Sequence, residues 1–198
     1  MKRLEVKCYA GFVPAAEGEK RYRIVYDDNR NEIGIEVKGL LTKFSYRNEN
    51  GLIFEKESYD KVVSEYFEKN ALNIPVDTMH RRDIQNLAGI VKELRKTDEG
   101  IFIVVYIPKG VYYYGLIKTL IDNGILQGFS NFGWIEDYNI TPDDDLQIFE
   151  FRLISASLVD IPADTNTEFV SNATHFEGFA APRGGNVQED DDDMNFIS

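Results

Sequence analysis

The stretch GILQGFSNFGW, residues 124–134, places a single serine, Ser130, between two glycines. Gly128 and Gly133 permit the close approach of another backbone or unusual φ angles. A nucleophilic serine needs an exposed hydroxyl, a nearby base and room for a substrate. The spacing differs from the Gly-x-Ser-x-Gly elbow of α/β-hydrolases, because Gly133 comes one residue too late. Taken alone, the stretch fits either a catalytic serine or a strand edge followed by a turn.

The hydropathy pattern around this stretch predicts a β-rich α+β domain. Alternating apolar residues indicate strands within residues 4–41 and along residues 146–159. The continuous, β-branched apolar run at residues 101–107 is typical of a strand buried on both faces. Residues 87–94 remain ambiguous, because periodicity alone does not separate a buried strand from a short helix there.

Two segments predict amphipathic helices. Residues 59–67 carry apolar side chains at i, i+3, i+4, i+7 and i+8, and Ser58 is in position to act as the N-cap. Residues 111–122 form the second predicted helix, and Gly124 fits its C-terminal cap. The face of the second helix that is expected to point inward comprises Leu116, Ile117, Leu120 and Ile121.

Composition and charge exclude several classes of function. The 198 residues suffice for one domain with a real core, and the net charge is −12. No basic cluster is longer than Arg81-Arg82, so we expect no nucleic-acid partner. The single cysteine, Cys8, cannot form an internal disulfide. Neither a signal peptide nor an apolar run of the ~18 residues that a membrane span needs is visible, so we expect a soluble intracellular protein.

The end of the chain differs in composition from the rest. The apolar pattern fades after Phe169, and residues 171–198 are rich in Gly, Asn and Asp and include the acidic run at 189–193. Such a segment cannot bury enough apolar surface to offset its ordering entropy. We therefore expect one domain over residues 1–170 and a flexible acidic tail over residues 171–198.

Any catalysis that uses a histidine depends on His80. The chain has two histidines, and the other, His175, falls in the expected tail. A lone histidine in this setting also fits a surface or core residue without a catalytic role. His80 lies 50 residues before Ser130, so the two residues have to be considered together with the elements between them.

The order of these features resembles a known family. A histidine precedes the strand-like residues 87–103, a helix follows, and Gly128-Phe129-Ser130 comes next. The series ends in Ser157-Leu158-Val159-Asp160-Ile161-Pro162-Ala163, residues 157–163. This pattern is similar to that of the prohead proteases of tailed phages, the HK97-like family, which are relatives of the herpesvirus assemblin proteases. The similarity covers residues 39–169.

The resemblance implies a fold, an activity and partners. The implied fold is an α+β domain with a β-barrel-like core and flanking helices. The implied activity is that of a serine endopeptidase, with Ser130 as nucleophile and His80 as general base, acting without a metal or an organic cofactor. Its expected substrates are the major capsid protein and the scaffold protein, inside proheads in the host cytoplasm. Self-association is also expected, whereas nucleic acid and membrane are not.

The third catalytic residue departs from the family's usual pattern. Many members carry an acid two positions before the serine of Ser-Leu-Val, and Ser155 stands at that position here. We therefore take Ser155 as the third member, with Asp77 and Asp160 as alternatives. By position alone, residues 162–164 could supply the N–H donors of an oxyanion hole.

Two readings without catalysis remain open from the sequence. One is a non-catalytic capsid-assembly or scaffold protein derived from the protease fold, which the departure at Ser155 and the acidic tail favour. The other is a soluble binding domain with no viral role, which would leave the ordered similarity a coincidence. Whether the tail is itself cleaved by the enzyme also remains open.

Overall fold

The computed structural model describes residues 4–11, 20–68 and 73–160, which form nine strands, two α-helices and one 3₁₀ turn. Within these ranges no helix is long and apolar enough to cross a membrane. The predicted tail, residues 171–198, lies outside them and stays a prediction. In chain order the elements are β1 (Leu4–Gly11), β2 (Tyr22–Tyr26), β3 (Glu32–Lys43), β4 (Leu52–Phe54), the 3₁₀ turn (Lys56–Tyr59), α1 (Asp60–Glu68), β5 (Pro75–Thr78), β6 (Leu87–Lys96), β7 (Gly100–Pro108), α2 (Tyr114–Asp122), β8 (Gly128–Ile140) and β9 (Leu146–Val159).

All nine strands belong to one mixed sheet. Its order is β1-β8-β9-β5-β6-β7-β3-β2, and β4 pairs with β9 outside this path. The strands β4 and β5 run parallel to β9, whereas the other pairs are antiparallel. The α+β class with a dominant sheet is therefore confirmed, and residues 87–94 are a strand. The path is open in the described residues, so the barrel-like closure is not shown.

Aromatic side chains fill the centre of the core beneath β9. Phe54 and Phe151 meet edge to face with ring centroids 5.3 Å apart, and Tyr59 lies 5.3 Å from Phe151. The hydroxyls of Tyr59 and Thr42 are 3.0 Å apart, and Thr42 also accepts a hydrogen bond from the buried amide of Asn131. This chain of contacts ties the core to the residue that follows Ser130.

The helices differ from their predicted ends in two places. Ser58 lies inside the 3₁₀ turn, where its hydroxyl donates to the carbonyl of Glu55 at 2.6 Å, so its predicted role as N-cap of the helix is wrong. The second helix begins at Tyr114 rather than Val111, because residues 111–113 form turns after Pro108.

The C-terminal cap of α2 follows the prediction, but one face does not. Gly124 has a φ of 66°, and Ile125 donates its N–H to the carbonyl of Leu120 at 2.8 Å, which is a Schellman cap. The buried residues of the helix are Tyr114, Ile117 and Ile121. Leu116 is 51 % exposed, so its predicted inward position is wrong. Only one side of the helix meets the sheet, and Leu116 projects beside that contact.

Gly133 marks a bulge in β8, three residues after Ser130. The register of β8 on β9 shifts between Phe132 and Gly133. A Cβ atom added to Gly133 would lie 2.1 Å from the carbonyl oxygen of Arg152, closer than real Cβ contacts come. The close backbone approach that the sequence suggested for this glycine is present.

We expect Gly133→Ala to lower the free energy of unfolding by about 1–3 kcal/mol, because the new methyl group forces β8 and β9 apart. Gly115→Ala is the matched control. An added Cβ there meets nothing within 4 Å, so we expect it to stabilise α2 by about 0.5–1 kcal/mol. Urea unfolding of both variants measures the difference. Equal effects of the two substitutions would contradict the close approach.

Candidate active site

The strand register places three polar residues in one row across the sheet. Ser130 of β8 pairs with Ser157 of β9, and Ser157 pairs with Asp77 of β5. Directly paired residues of neighbouring strands project from the same face of a sheet. The row therefore follows from backbone pairing between segments that are far apart in the sequence.

A tight turn after β5 brings His80 to this row. Met79 and His80 both have positive φ, 54° and 58°, and the N–H of Arg81 donates to the carbonyl of Thr78 at 3.1 Å, as in a type I′ turn. Positive φ in side chains of this size is strained and persists only where the surroundings hold it. The N–H of Met79 donates to the carbonyl of Leu158 at 3.0 Å, which fixes the turn on β9.

The side chains form a continuous hydrogen-bonded chain. Nε2 of His80 lies 2.7 Å from Oγ of Ser130, and Nδ1 lies 3.1 Å from Oγ of Ser157. The hydroxyl of Ser157 donates to Oδ1 of Asp77 at 2.5 Å. Ser155 donates to the other carboxylate oxygen, Oδ2, at 3.4 Å. The imidazole therefore lies between the candidate nucleophile and a hydroxyl that is bound to an acid.

These hydrogen bonds define the histidine tautomer when Asp77 is ionised. The hydroxyl of Ser157 then donates its single proton to the carboxylate, so its oxygen can only accept from His80. Nδ1 then carries the proton of the neutral imidazole, and Nε2 presents a lone pair to the hydroxyl of Ser130. This is the protonation state in which an imidazole can remove a proton from a serine.

Asp77 is an acid held almost entirely out of water. Its side chain is 1 % exposed, and this burial raises the pKa of Asp77 above its usual range. Hydrogen bonds from Ser157 and Ser155, the positive charge of Arg82 and the backbone N–H of His80 act in the opposite direction and lower the pKa. The carboxylate therefore has several partners that stabilise its charged form against the cost of burial.

The structure brings together some of the predicted site residues and separates others. Ser130 and His80 are within hydrogen-bonding distance. Ser155 contacts Asp77, and the hydroxyl that approaches Nδ1 of His80 is that of Ser157. Asp160, the second alternative, follows β9 and lines a neighbouring groove. Residues 162–164, suggested for the oxyanion hole, lie outside the described residues.

Sequence reasoning missed Ser157, although a signal for it was present. Ser155 and Ser157 are two positions apart in a strand, so both project from the same face of the sheet. The choice between them depends on the register of β9 against β5, which local sequence does not specify.

Within residues 4–11, 20–68 and 73–160, no group of three or more His, Cys, Asp or Glu side chains is placed to hold a metal ion.

The fold is similar to that of a phage protease of known structure. The structure of the bacteriophage T4 capsid assembly protease, gp21, matches this chain with a TM-score of 0.64 at 15 % sequence identity. The match covers 82 % of this chain and 100 % of that chain. No protein-family model and no curated protein matches the sequence. The chain thus shares the fold of a phage capsid assembly protease.

We expect Asp77→Asn to change how stability depends on pH. Because the pKa of Asp77 is raised on folding, the native state binds its proton more tightly, and the carboxyl favours the native state most at low pH. The unfolding free energy of the wild type should therefore fall relative to that of Asp77→Asn as the pH rises from about 3.5 to about 7. Urea unfolding at several pH values measures this difference.

Ser64→Ala, on the exposed side of α1, provides the control, because it removes no ionisable group. Its difference from the wild type should stay nearly constant over the same pH range. A constant difference for Asp77→Asn as well would contradict a raised pKa at that buried acid.

Proposed function

We propose that this chain is a serine endopeptidase that cleaves capsid and scaffold proteins during the maturation of phage proheads. The observation that carries the proposal is the 2.7 Å contact between Oγ of Ser130 and Nε2 of His80, whose Nδ1 lies 3.1 Å from Oγ of Ser157. The fold, which is shared with a capsid assembly protease, supports the same conclusion.

In the proposed mechanism Ser130 attacks the carbonyl carbon of the scissile peptide bond. Neutral His80 accepts the hydroxyl proton on Nε2 and then donates it to the leaving amine. Water hydrolyses the resulting acyl-enzyme by the reverse use of the same groups. The imidazolium that forms in each step is stabilised through Ser157, whose hydroxyl oxygen accepts from Nδ1 while its own O–H donates to Oδ1 of Asp77.

The proposed catalytic set is therefore Ser130 and His80, with Ser157 and Asp77 as positioning residues. Ser155 supports the carboxylate of Asp77 rather than replacing an acid. A hydroxyl between the imidazole and the carboxylate can still orient the ring through its hydrogen bonds. It weakens the electrostatic stabilisation of the imidazolium, because it increases the distance between the imidazolium and the carboxylate. We expect a weaker charge effect than in a site where the acid touches the ring.

The proposal extends to the setting of the protein. We assign residues 1–170 to an HK97-like prohead protease related to the assemblins, with a barrel-like core, and residues 171–198 to its acidic tail. The enzyme would act inside proheads in the host cytoplasm on the major capsid and scaffold proteins, and would self-associate without binding nucleic acid or membrane. The similarity in fold to a capsid assembly protease is the support for this setting.

A non-catalytic capsid-assembly protein is the second candidate. The observation that favours it is the complete burial of Ser130, whose side chain has an exposed fraction of 0 %. A nucleophile has to be reached by its substrate. A protease therefore requires a second conformation in which the hydroxyl of Ser130 is exposed to the substrate. A structural protein has no such requirement.

We expect Ser130→Ala to abolish cleavage of the cognate capsid protein when the two proteins are produced together. Loss of a serine nucleophile lowers the rate by several orders of magnitude, while the removal of one buried hydroxyl should leave the fold intact. Electrophoresis and mass spectrometry of the capsid protein measure the products. Ser64→Ala, on the exposed side of α1, is the matched control and should cleave normally. Cleavage that persists in Ser130→Ala would contradict the enzyme, and an uncut capsid protein with the wild type would favour the second candidate.

Ser157→Ala and Ser155→Ala separate the two serines of β9. Ser157→Ala removes the partner of Nδ1, and a hydrogen bond to a charged group contributes about 1.5–3 kcal/mol, so we expect kcat/KM to fall roughly 10- to 100-fold. Ser155→Ala leaves His80 oriented and should lower kcat/KM less than about threefold. Peptide cleavage assays measure both values.

The pH profile shows whether Ser157 acts through the imidazole. Ser157→Ala should move the acid limb of kcat/KM to lower pH, because the imidazolium loses a stabilising partner. A purely structural role would leave that limb in place. A larger loss of kcat/KM in Ser155→Ala than in Ser157→Ala would indicate that Ser155, and not Ser157, is the residue that orients His80.

A further inference from the structure

An open groove lies against the turn that carries His80. Its volume is about 360 Å³, and its walls come from that turn, from one side of α2 and from the segment between α2 and β8. The lining residues used below are Met79, Leu116, Leu120, Ile125, Leu126 and Asp160. We propose that this groove is a specificity subsite that binds one large apolar side chain of the peptide substrate, such as Leu, Met or Phe. The inference rests on the proposed protease function.

The walls of the groove continue directly into the catalytic residues. Met79 immediately precedes His80 in the tight turn, so their Cα atoms are about 3.8 Å apart. On the other wall, Leu126 leads into β8, whose first residue, Gly128, pairs with Val159, the residue before Asp160. In the opened conformation that the proposed protease requires at Ser130, an extended peptide whose scissile carbonyl reaches that residue would place a neighbouring side chain in this groove.

Several apolar side chains that line the groove are exposed to solvent. Leu116 is 51 % exposed, Ile125 is 50 % exposed and Met79 is 47 % exposed. The Schellman cap holds Ile125 next to Leu120, so this surface is built into the end of a helix. Exposed apolar side chains that cluster in a groove are typical of binding sites, because a bound apolar group removes them from water. This cluster lies beside the proposed catalytic pair.

Charge and size restrict what the groove can accept. Among its described lining residues, Asp160 carries the only charge, so no cation is present to pair with an acidic side chain. The volume of about 360 Å³ lies at the lower end of the range for ligand sites. The groove therefore fits one large apolar side chain of an extended peptide and disfavours Glu or Asp at that position.

The test uses cleavage of a peptide library by the full chain. An N-terminally blocked library from a bacterial proteome is incubated with wild type, Ser130→Ala and Leu116→Lys, and the cut sites are identified by mass spectrometry. Synthetic peptides of the best sequence, with Leu, Ala, Glu or Lys at the selected position, then give kcat/KM. Ile140→Lys adds the same charge at a 64 % exposed position of β8 and is the matched control.

We expect the wild type to prefer Leu over Ala and over Glu by roughly tenfold or more at one position near the scissile bond. Leu116→Lys should lower that preference for Leu over Glu at least roughly tenfold, while Ile140→Lys leaves it unchanged. Unchanged melting temperatures confirm that both variants are folded.

Different failures identify different errors. Cleavage that depends on Ser130 but shows no apolar preference, or a preference that Leu116→Lys does not alter, overturns the subsite and leaves the protease standing. A change in oligomeric state without a change in preference would show that the groove binds a second copy, and also overturns the subsite. No cleavage that depends on Ser130 overturns the protease, and the subsite with it.

Discussion

The pairing of β5 with β9 is the constraint on which the candidate site depends. Because β5 runs parallel to β9, Asp77 is opposite Ser157, and Ser157 is opposite Ser130 on the other side. A shift of one residue in either pairing would turn the shifted side chains to the opposite face of the sheet. The buried apolar residues that alternate with them, among them Val76, Phe129 and Leu158, oppose such a shift, because they would have to leave the core.

The same pairing explains why a strained turn is tolerated at His80. The turn has two side chains with positive φ, which cost free energy, and it is fixed by a backbone hydrogen bond from Met79 to β9 and by the backbone N–H of His80 on Asp77. These bonds act on the backbone, so they position the imidazole without the help of a ligand. Preorganisation of this kind is what the proposed role of His80 as general base would require.

The sequence predicted the elements of the fold better than the connections between them. Periodicity located the strand at residues 101–107 and the cap at Gly124, because those signals are local. The order of features along the chain singled out Ser130 and His80, which the structure brings to 2.7 Å. Ser157 could not be chosen over Ser155 in the same way. Its position depends on a parallel pairing with a strand 80 residues away, and alternation within one strand gives both serines the same face.

The position of the acid shows how one site can be built from different strands. The prohead-protease pattern proposed for this chain would place an acid on β9, at Ser155, whereas here the carboxylate comes from Asp77 on β5 and accepts from Ser155 and Ser157 together. The acid of the proposed site thus lies beside the same point of β9, although a different strand carries it. A serine at Ser155 suits this arrangement, because a second buried carboxylate next to Asp77 would add like-charge repulsion to the cost of burial. In the proposed site, a serine at position 155 and the buried Asp77 are therefore compatible, and Ser157 is the hydroxyl that connects the acid of β5 to the imidazole.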